Sequence, residues 1–134
     1  MLEVKALLFD VFGTVVDWRT GIAKEIQIIA KKYNIFLNAE DFADAWRAEY
    51  QPAMEEIRNG GRDFTILDIL HLENLKKIAP RFDLNNLTNE DLNFLVTAWH
   101  RLPGWSDTSQ GLNKLKKKFI LATQSNGNIA LMVN

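Results

Sequence analysis

The sequence predicts an α/β protein in which a small parallel sheet is interrupted by a long all-helical insertion. Three observations lead there. Val4-Lys5-Ala6-Leu7-Leu8-Phe9 and Phe119-Ile120-Leu121-Ala122-Thr123 are short apolar runs without strict alternation, the pattern of strands buried on both faces of a parallel sheet. Each run ends on polar residues and a glycine: Asp10 and Gly13 after the first, Gln124-Ser125-Asn126-Gly127 after the second. The long stretch between them carries helical periodicity and repeated helix-start signals.

After the first strand, Ile22, Ile26, Ile29 and Tyr33 recur at helical spacing with Lys24, Lys31 and Lys32 between them. This is an amphipathic helix that should end near Asn34. Three further helix starts share one pattern: Leu37-Asn38-Ala39-Glu40-Asp41-Phe42, Phe64-Thr65-Ile66-Leu67-Asp68-Ile69 and Leu87-Thr88-Asn89-Glu90-Asp91-Leu92. In each, an Asn or Thr can cap the helix and an Asp three residues later can reach back, with a flanking apolar pair as staple. The expected helices run 38–58, 65–79 and 88–100, separated by Asn59-Gly60-Gly61-Arg62 and Pro80-Arg81-Phe82-Asp83. Leu102-Pro103-Gly104-Trp105 returns the chain to the core, a helix over 108–118 precedes the second strand, and Ile129-Ala130-Leu131-Met132-Val133 begins another. The expected division is a core of 1–16 and 101–134 and a helical cap of 17–100. An inserted helical block over a strand-end site is a natural lid.

Composition narrows the function. The 134 residues hold 16 basic and 17 acidic side chains, a net charge of −1, so no overall field favours nucleic acid or an anionic membrane. Lys114, Lys116, Lys117 and Lys118 read as a solvated face at a helix C-terminus, where positive charge is favourable. There is no cysteine, which removes disulfides, thiol nucleophiles and thiolate-held metal. No window approaches the roughly 18 apolar residues of a membrane span, and the N-terminus has no secretory pattern. The expected location is cytoplasmic.

Asp10 falls at the carboxyl end of the first strand, where open α/β sheets present side chains to ligands. Gly13 permits a sharp turn beside it. A carboxylate so placed can be a nucleophile, a metal ligand or a buried structural acid. Ser125 and Asn126 have the same placement 115 and 116 residues later, and adjacent strands would bring them against Asp10. His71, in a leucine-rich helix, and His100, at the end of the insertion, read as structural. No metal site is expected, because no acidic or histidine partner sits at helical ligand spacing with a second pair elsewhere.

The combination Asp10-Val11-Phe12-Gly13-Thr14-Val15 with Ser125-Asn126-Gly127 resembles the haloacid dehalogenase superfamily. It is closest in pattern to the type II (S)-2-haloacid dehalogenases. The resemblance extends through Trp46-Arg47 and Trp99-His100-Arg101-Leu102-Pro103-Gly104-Trp105-Ser106-Asp107. It implies a Rossmann-like parallel sheet, incomplete here, with an inserted helical cap. It also implies an aspartyl-ester mechanism on Asp10 that uses no metal or other cofactor. By the same resemblance Arg47 leans from the cap to receive the departing halide, while Ser125 and Asn126 bind the Asp10 carboxylate, the substrate carboxylate or the halide. A guanidinium is a permanent cation with several donors, suited to charge that appears as a bond breaks. Thr14 either hydrogen-bonds Asp10 or fixes its loop. Val11, Phe12, Trp46, Phe64 and Trp105, with Tyr50, are expected as an apolar wall around a small haloalkanoate.

Phe12 is the discriminating residue. Phosphatases of the superfamily carry a second aspartate two positions after the nucleophile, to protonate a departing alkoxide. Losing that acid should cost on the order of 10²- to 10⁴-fold, whereas a halide leaves without a proton. The implied partner is thus a short 2-haloacid or similar carboxylate. The alternatives are a phosphatase-like member of the superfamily, or a non-catalytic remnant serving as a binding or assembly module. The superfamily also uses a lysine and an acidic residue beyond the second strand, and 124–134 contain neither. The expectation is that an isolated chain of this length is marginal, is completed by self-association such as a homodimer, or is a piece of a longer protein. Its turnover should be poor.

Overall fold

The structure is a computed structural model that describes residues 3–133. Met1, Leu2 and Asn134, at the outer limits of the two expected core segments, lie outside the described residues. Both apolar runs form strands. β1 (Ala6–Phe9) and β2 (Ile120–Thr123) pair in parallel, with Ala6 opposite Ile120 and Phe9 opposite Thr123. The Gln124 amide donates to the Phe9 carbonyl at 2.8 Å, so the pairing continues to the last strand residue. Asp10 and Ser125 therefore leave the sheet side by side.

The strands are not buried on both faces, as their composition led us to expect. β1 alternates exposed and half-buried residues, with Leu8 62% and, on β2, Ile120 69% exposed. The physical reason is the size of the sheet. It has two strands among the described residues, so each has an unpaired edge and little apolar surface is available to cover either face.

The helices between the strands hold most of the buried core. α1 (Trp18–Lys32) is capped by Asp17, whose carboxylate accepts from the Thr20 amide, and it buries Ile22, Ile26 and Ile29 as the periodicity requires. It ends at Tyr33, followed by Asn34 at a positive φ of 53°. α2 (Ala39–Ala48) is capped by Asn38, which accepts from the Glu40 and Asp41 amides. The single helix expected over 38–58 is two, because α3 (Tyr50–Arg58) starts afresh after Glu49. Pro52 explains the break: it has no N–H to give the Ala48 carbonyl, and its ring crowds that carbonyl.

α4 (Leu67–Ile78) starts without a side-chain cap, contrary to the Thr65–Asp68 pattern. Thr65 instead donates to the Asp63 carbonyl and accepts from Arg62. Asp68 accepts from Asn128 Nδ2 at 2.8 Å and faces His100 Nε2 at 3.0 Å. The Thr88–Asp91 pattern does form a reciprocal capping box on α5 (Asn89–Val96), which then tightens into a 3-10 turn over Thr97–His100. α6 (Thr108–Leu115) is shorter than the expected 108–118, and α7 (Ile129–Val133) follows β2.

Ile22, Ile26, Phe42, Trp46, Leu70, Leu75, Ile78 and Leu95 are each under 2% exposed. Trp46 lies at the centre, edge-on to Phe42 and Trp99, its indole N–H donating to the His71 carbonyl at 3.0 Å. Asp91 is buried and receives Lys32 Nζ, the Tyr33 hydroxyl and Thr88. Burial alone would raise its pKa, but those hydrogen bonds outweigh it and hold the carboxyl well below the usual range. The returning segment packs on α1 at Gly21, where an added Cβ would sit 2.8 Å from both Leu102 Cδ2 and Pro103 Cδ. No described helix is long and apolar enough to cross a membrane.

Candidate active site

The turn after β1 is fixed by its own backbone and by the returning segment. Gly13 adopts φ +95°, a conformation that favours glycine. The Val15 and Val16 amides both donate to the Val11 carbonyl. Trp105 Nε1 donates to the Gly13 carbonyl at 3.1 Å, and the Thr108 hydroxyl donates to the Val15 carbonyl at 2.7 Å. On this braced turn Asp10 is exposed, and its Oδ1 accepts from Ser125 Oγ at 2.8 Å. Thr14 Oγ1 lies 3.5 Å from Oδ2, a long contact, so one carboxylate oxygen is held firmly and the other is left freer.

Asp10 opens into a cavity of about 140 Å³ that Phe12, Arg47, Tyr50, Ser125 and Asn126 help to line. Arg47 comes from α2. Its sequence neighbours Glu40 and Asp44 are natural partners, but Arg19 takes both: its Nε and Nη2 each reach Asp44 at 2.8 Å, and its Nη1 reaches Glu40 at 2.6 Å. Arg47 is left with no carboxylate partner among the described residues. Its guanidinium lies over the Tyr50 ring at 4.2 Å and 5.8 Å from the Trp18 ring, a cation held by aromatic faces. Asn126 Nδ2 donates to the Tyr50 hydroxyl at 2.8 Å. Tyr50 thus joins the cap arginine to the strand-end asparagine.

Not every residue expected at the site is there. Trp46 is beneath the wall and only 1% exposed, packed into the core rather than toward the cavity. Phe64 is 84% exposed on the loop before α4 and does not line the cavity. Trp105 braces the Gly13 turn from outside, and Val11 faces the apolar side of the sheet with Val15 and Leu121. Conversely, Gln51, Leu67, His71 and Trp99 line the cavity without having been expected there. Leu67 and His71 are one turn apart on α4, so a histidine at i+4 from a wall leucine was the available signal. A leucine-rich helix disguised it as core.

His71 is 5% exposed and stacks on Trp99 at 4.6 Å between ring centroids. Burial pushes its pKa down to about 3, outweighing the opposing Asp68 carboxylate, and the Arg47 charge adds to the lowering. It is a neutral imidazole at ordinary pH. No group of three or more His, Cys, Asp or Glu side chains able to hold a metal ion occurs among the described residues. The arrangement offers a carboxylate with one freer oxygen facing a small, partly aromatic chamber whose far side is cationic. Chemically, it suits attack on a small electrophile and acceptance of an anion.

Neither a family model nor a curated protein matches the chain. Solved structures do. A defluorinating L-2-haloacid dehalogenase superposes with a TM-score of 0.91 and 45% identity, over 97% of this chain and 54% of that one. Another L-2-haloacid dehalogenase gives 0.89 and 40%, over 98% and 56% of the respective chains. The L-2-haloacid dehalogenase from Xanthobacter autotrophicus, solved with chloropropionic acid covalently bound, gives 0.78 at 20% identity, over 97% and 49%. That third likeness is one of fold. The chain spans about half the length of the solved enzymes it matches. Its fold is that of the haloacid dehalogenase superfamily, and the solved structures it resembles include L-2-haloacid dehalogenases.

Proposed function

We propose that this site serves the hydrolytic dehalogenation of a short (S)-2-haloalkanoic acid through an ester on Asp10. One observation supports the reading above the others: Ser125 fixes one oxygen of Asp10 while Arg47, relieved of its acidic neighbours by Arg19, faces the same small cavity. In this reading the freer Asp10 oxygen attacks C2, a C–O ester bond forms, and the carbon–halogen electron pair leaves with the halide. Arg47 receives that new charge, and a cation already in place needs no reorganisation as the bond breaks. Phe12 stands where a phosphatase of the superfamily would place its acid, which a halide leaving group does not need. Residues 1–16 and 101–134 act as core and 17–100 as cap. Thr14 tunes the Asp10 oxygen, and Asn126 orients the ligand through Tyr50. Names of the similar structures agree with this substrate class.

Chloride release from (S)-2-chloropropionate tests the reading. We expect chloride release that depends on Asp10, whose carboxylate forms the ester. Asp10→Ala should release none. Chloride release that survives Asp10→Ala would refute the assignment, as would Asp10-dependent hydrolysis of a phosphate ester without any halide release.

A further inference from the structure

His71 has an unexplained nitrogen. Its Nδ1 is sealed from solvent and has no hydrogen-bond partner among the described residues. A neutral imidazole carries one N–H, and its tautomer follows from what each nitrogen can meet. A proton on Nδ1 would be a buried donor without an acceptor, which is costly. Placed on Nε2, the proton leaves only a weakly accepting lone pair in the sealed position. Nε2 is not among the sealed, unpartnered atoms, and His71 lines the cavity. His71 and Arg47 line the same cavity, and Asp68 stands one turn before His71 on α4. Stacking on Trp99 and the hydrogen bond from Trp46 to its own carbonyl hold it in place. A neutral N–H donor and the Arg47 guanidinium thus line the same small chamber.

On the dehalogenase reading of this site, we propose that His71 contacts the substrate, its Nε2–H hydrogen-bonding the departing halide beside Arg47 and favouring small, strongly accepting halides, fluoride first. His71 keeps its proton throughout. The C2–halogen electron pair departs as halide while Asp10 forms the ester, so the balance needs no acid. A fluoride ion gains most from such a donor because it concentrates its charge in the smallest volume; bromide gains least and depends on Arg47.

Two measurements test this, one of them independent of turnover. In wild-type protein with ¹⁵N-labelled histidine, we expect the His71 proton on Nε2 and a shift of that N–H on titration with sodium fluoride. A proton on Nδ1, or an Nε2–H indifferent to fluoride, overturns the inference. Single-turnover halide release from 2-fluoropropionate and 2-bromopropionate is then compared in wild type, His71→Phe, which keeps a stacking ring, and His71→Gln, which restores an N–H. We expect His71→Phe to slow fluoride release about 10- to 100-fold and bromide release by less than about threefold, with part of the fluoride loss recovered by Gln. Equal losses for both halides also overturn it. If fluoride shifts the His71 N–H but neither acid releases halide, the halide contact stands and the dehalogenase reading falls. If halide is released but His71 is indifferent, the reading stands and this inference falls.

Discussion

The helices and the strand ends are built to opposite standards. In the helical block Trp46, Phe42 and Ile26 are all but sealed from water, and the one buried carboxylate, Asp91, is fully engaged. At the sheet, Leu8 and Ile120 are mostly exposed and α6 buries no residue. The candidate nucleophile sits on the poorly covered side, and the cation that faces it on the well-packed side. Order at the site is therefore borrowed: Asp10 is positioned by a braced turn and Ser125, while Arg47 and His71 are positioned by a core that exists for packing. Stability and chemistry reside in different parts of one molecule, and the cavity is their seam.

The largest effect should come from the packed side. Trp46→Ala should cost about 3–5 kcal/mol, against under about 0.5 kcal/mol for Leu8→Ala on the exposed strand, both read by denaturant unfolding. Comparable losses would erase the contrast between the regions. Next is the response to acid. His71 is held neutral when folded and takes up a proton when unfolded, so stability should fall as pH drops below 6.5 and go on falling toward about 3. Asp91 has a depressed folded pKa, so its contribution is full above 3.8 and is lost only below that. His71→Phe should therefore flatten the unfolding profile between pH 6.5 and about 4 and leave the lower limb; an unchanged profile would show that His71 is not held neutral by burial.

Gly21→Ala should cost about 1–3 kcal/mol, because the methyl meets the Pro103 ring and Leu102 at 2.8 Å. Thermal unfolding will read it, and a neutral result would mean the returning segment yields. The smallest stability effect, and the most informative one for the site, is Arg19→Ala. Exposed ion pairs of this kind contribute little to stability. Removing Arg19 frees Asp44, three residues before Arg47 on α2, to draw the guanidinium from the cavity. Halide release should then drop although the fold hardly notices. A variant with unaltered release would show that Arg47 is placed by the aromatic rings alone.

Much of this was legible in the sequence because it rests on local chemistry. The 22–26–29 spacing, the Asn38 cap and the Thr88–Asp91 box are set by neighbours in the chain. The Asp10–Ser125 pairing was legible for a different reason, since two strand ends with the same grammar imply adjacent strands. What was not legible depends on partners distant in sequence. Thr65 and Asp68 look like a helix start, yet Asp68 is taken by His100 and Asn128. Phe64 and Trp46 are equally aromatic on paper; only packing separates a solvent-facing ring from a core ring. Pro52 was visible, but its effect on a helix with strong start signals became plain only as a break at Glu49.

The most direct measurement is the intact mass of the chain after incubation with (S)-2-chloropropionate, for wild type and Asp10→Ala. We expect wild type to gain the mass of one propionate unit, mapped by digestion to the peptide containing Asp10, and Asp10→Ala to gain nothing. An unmodified wild type that releases no chloride, or an adduct that forms on Asp10→Ala as well, would contradict the assignment of Asp10 as the nucleophile.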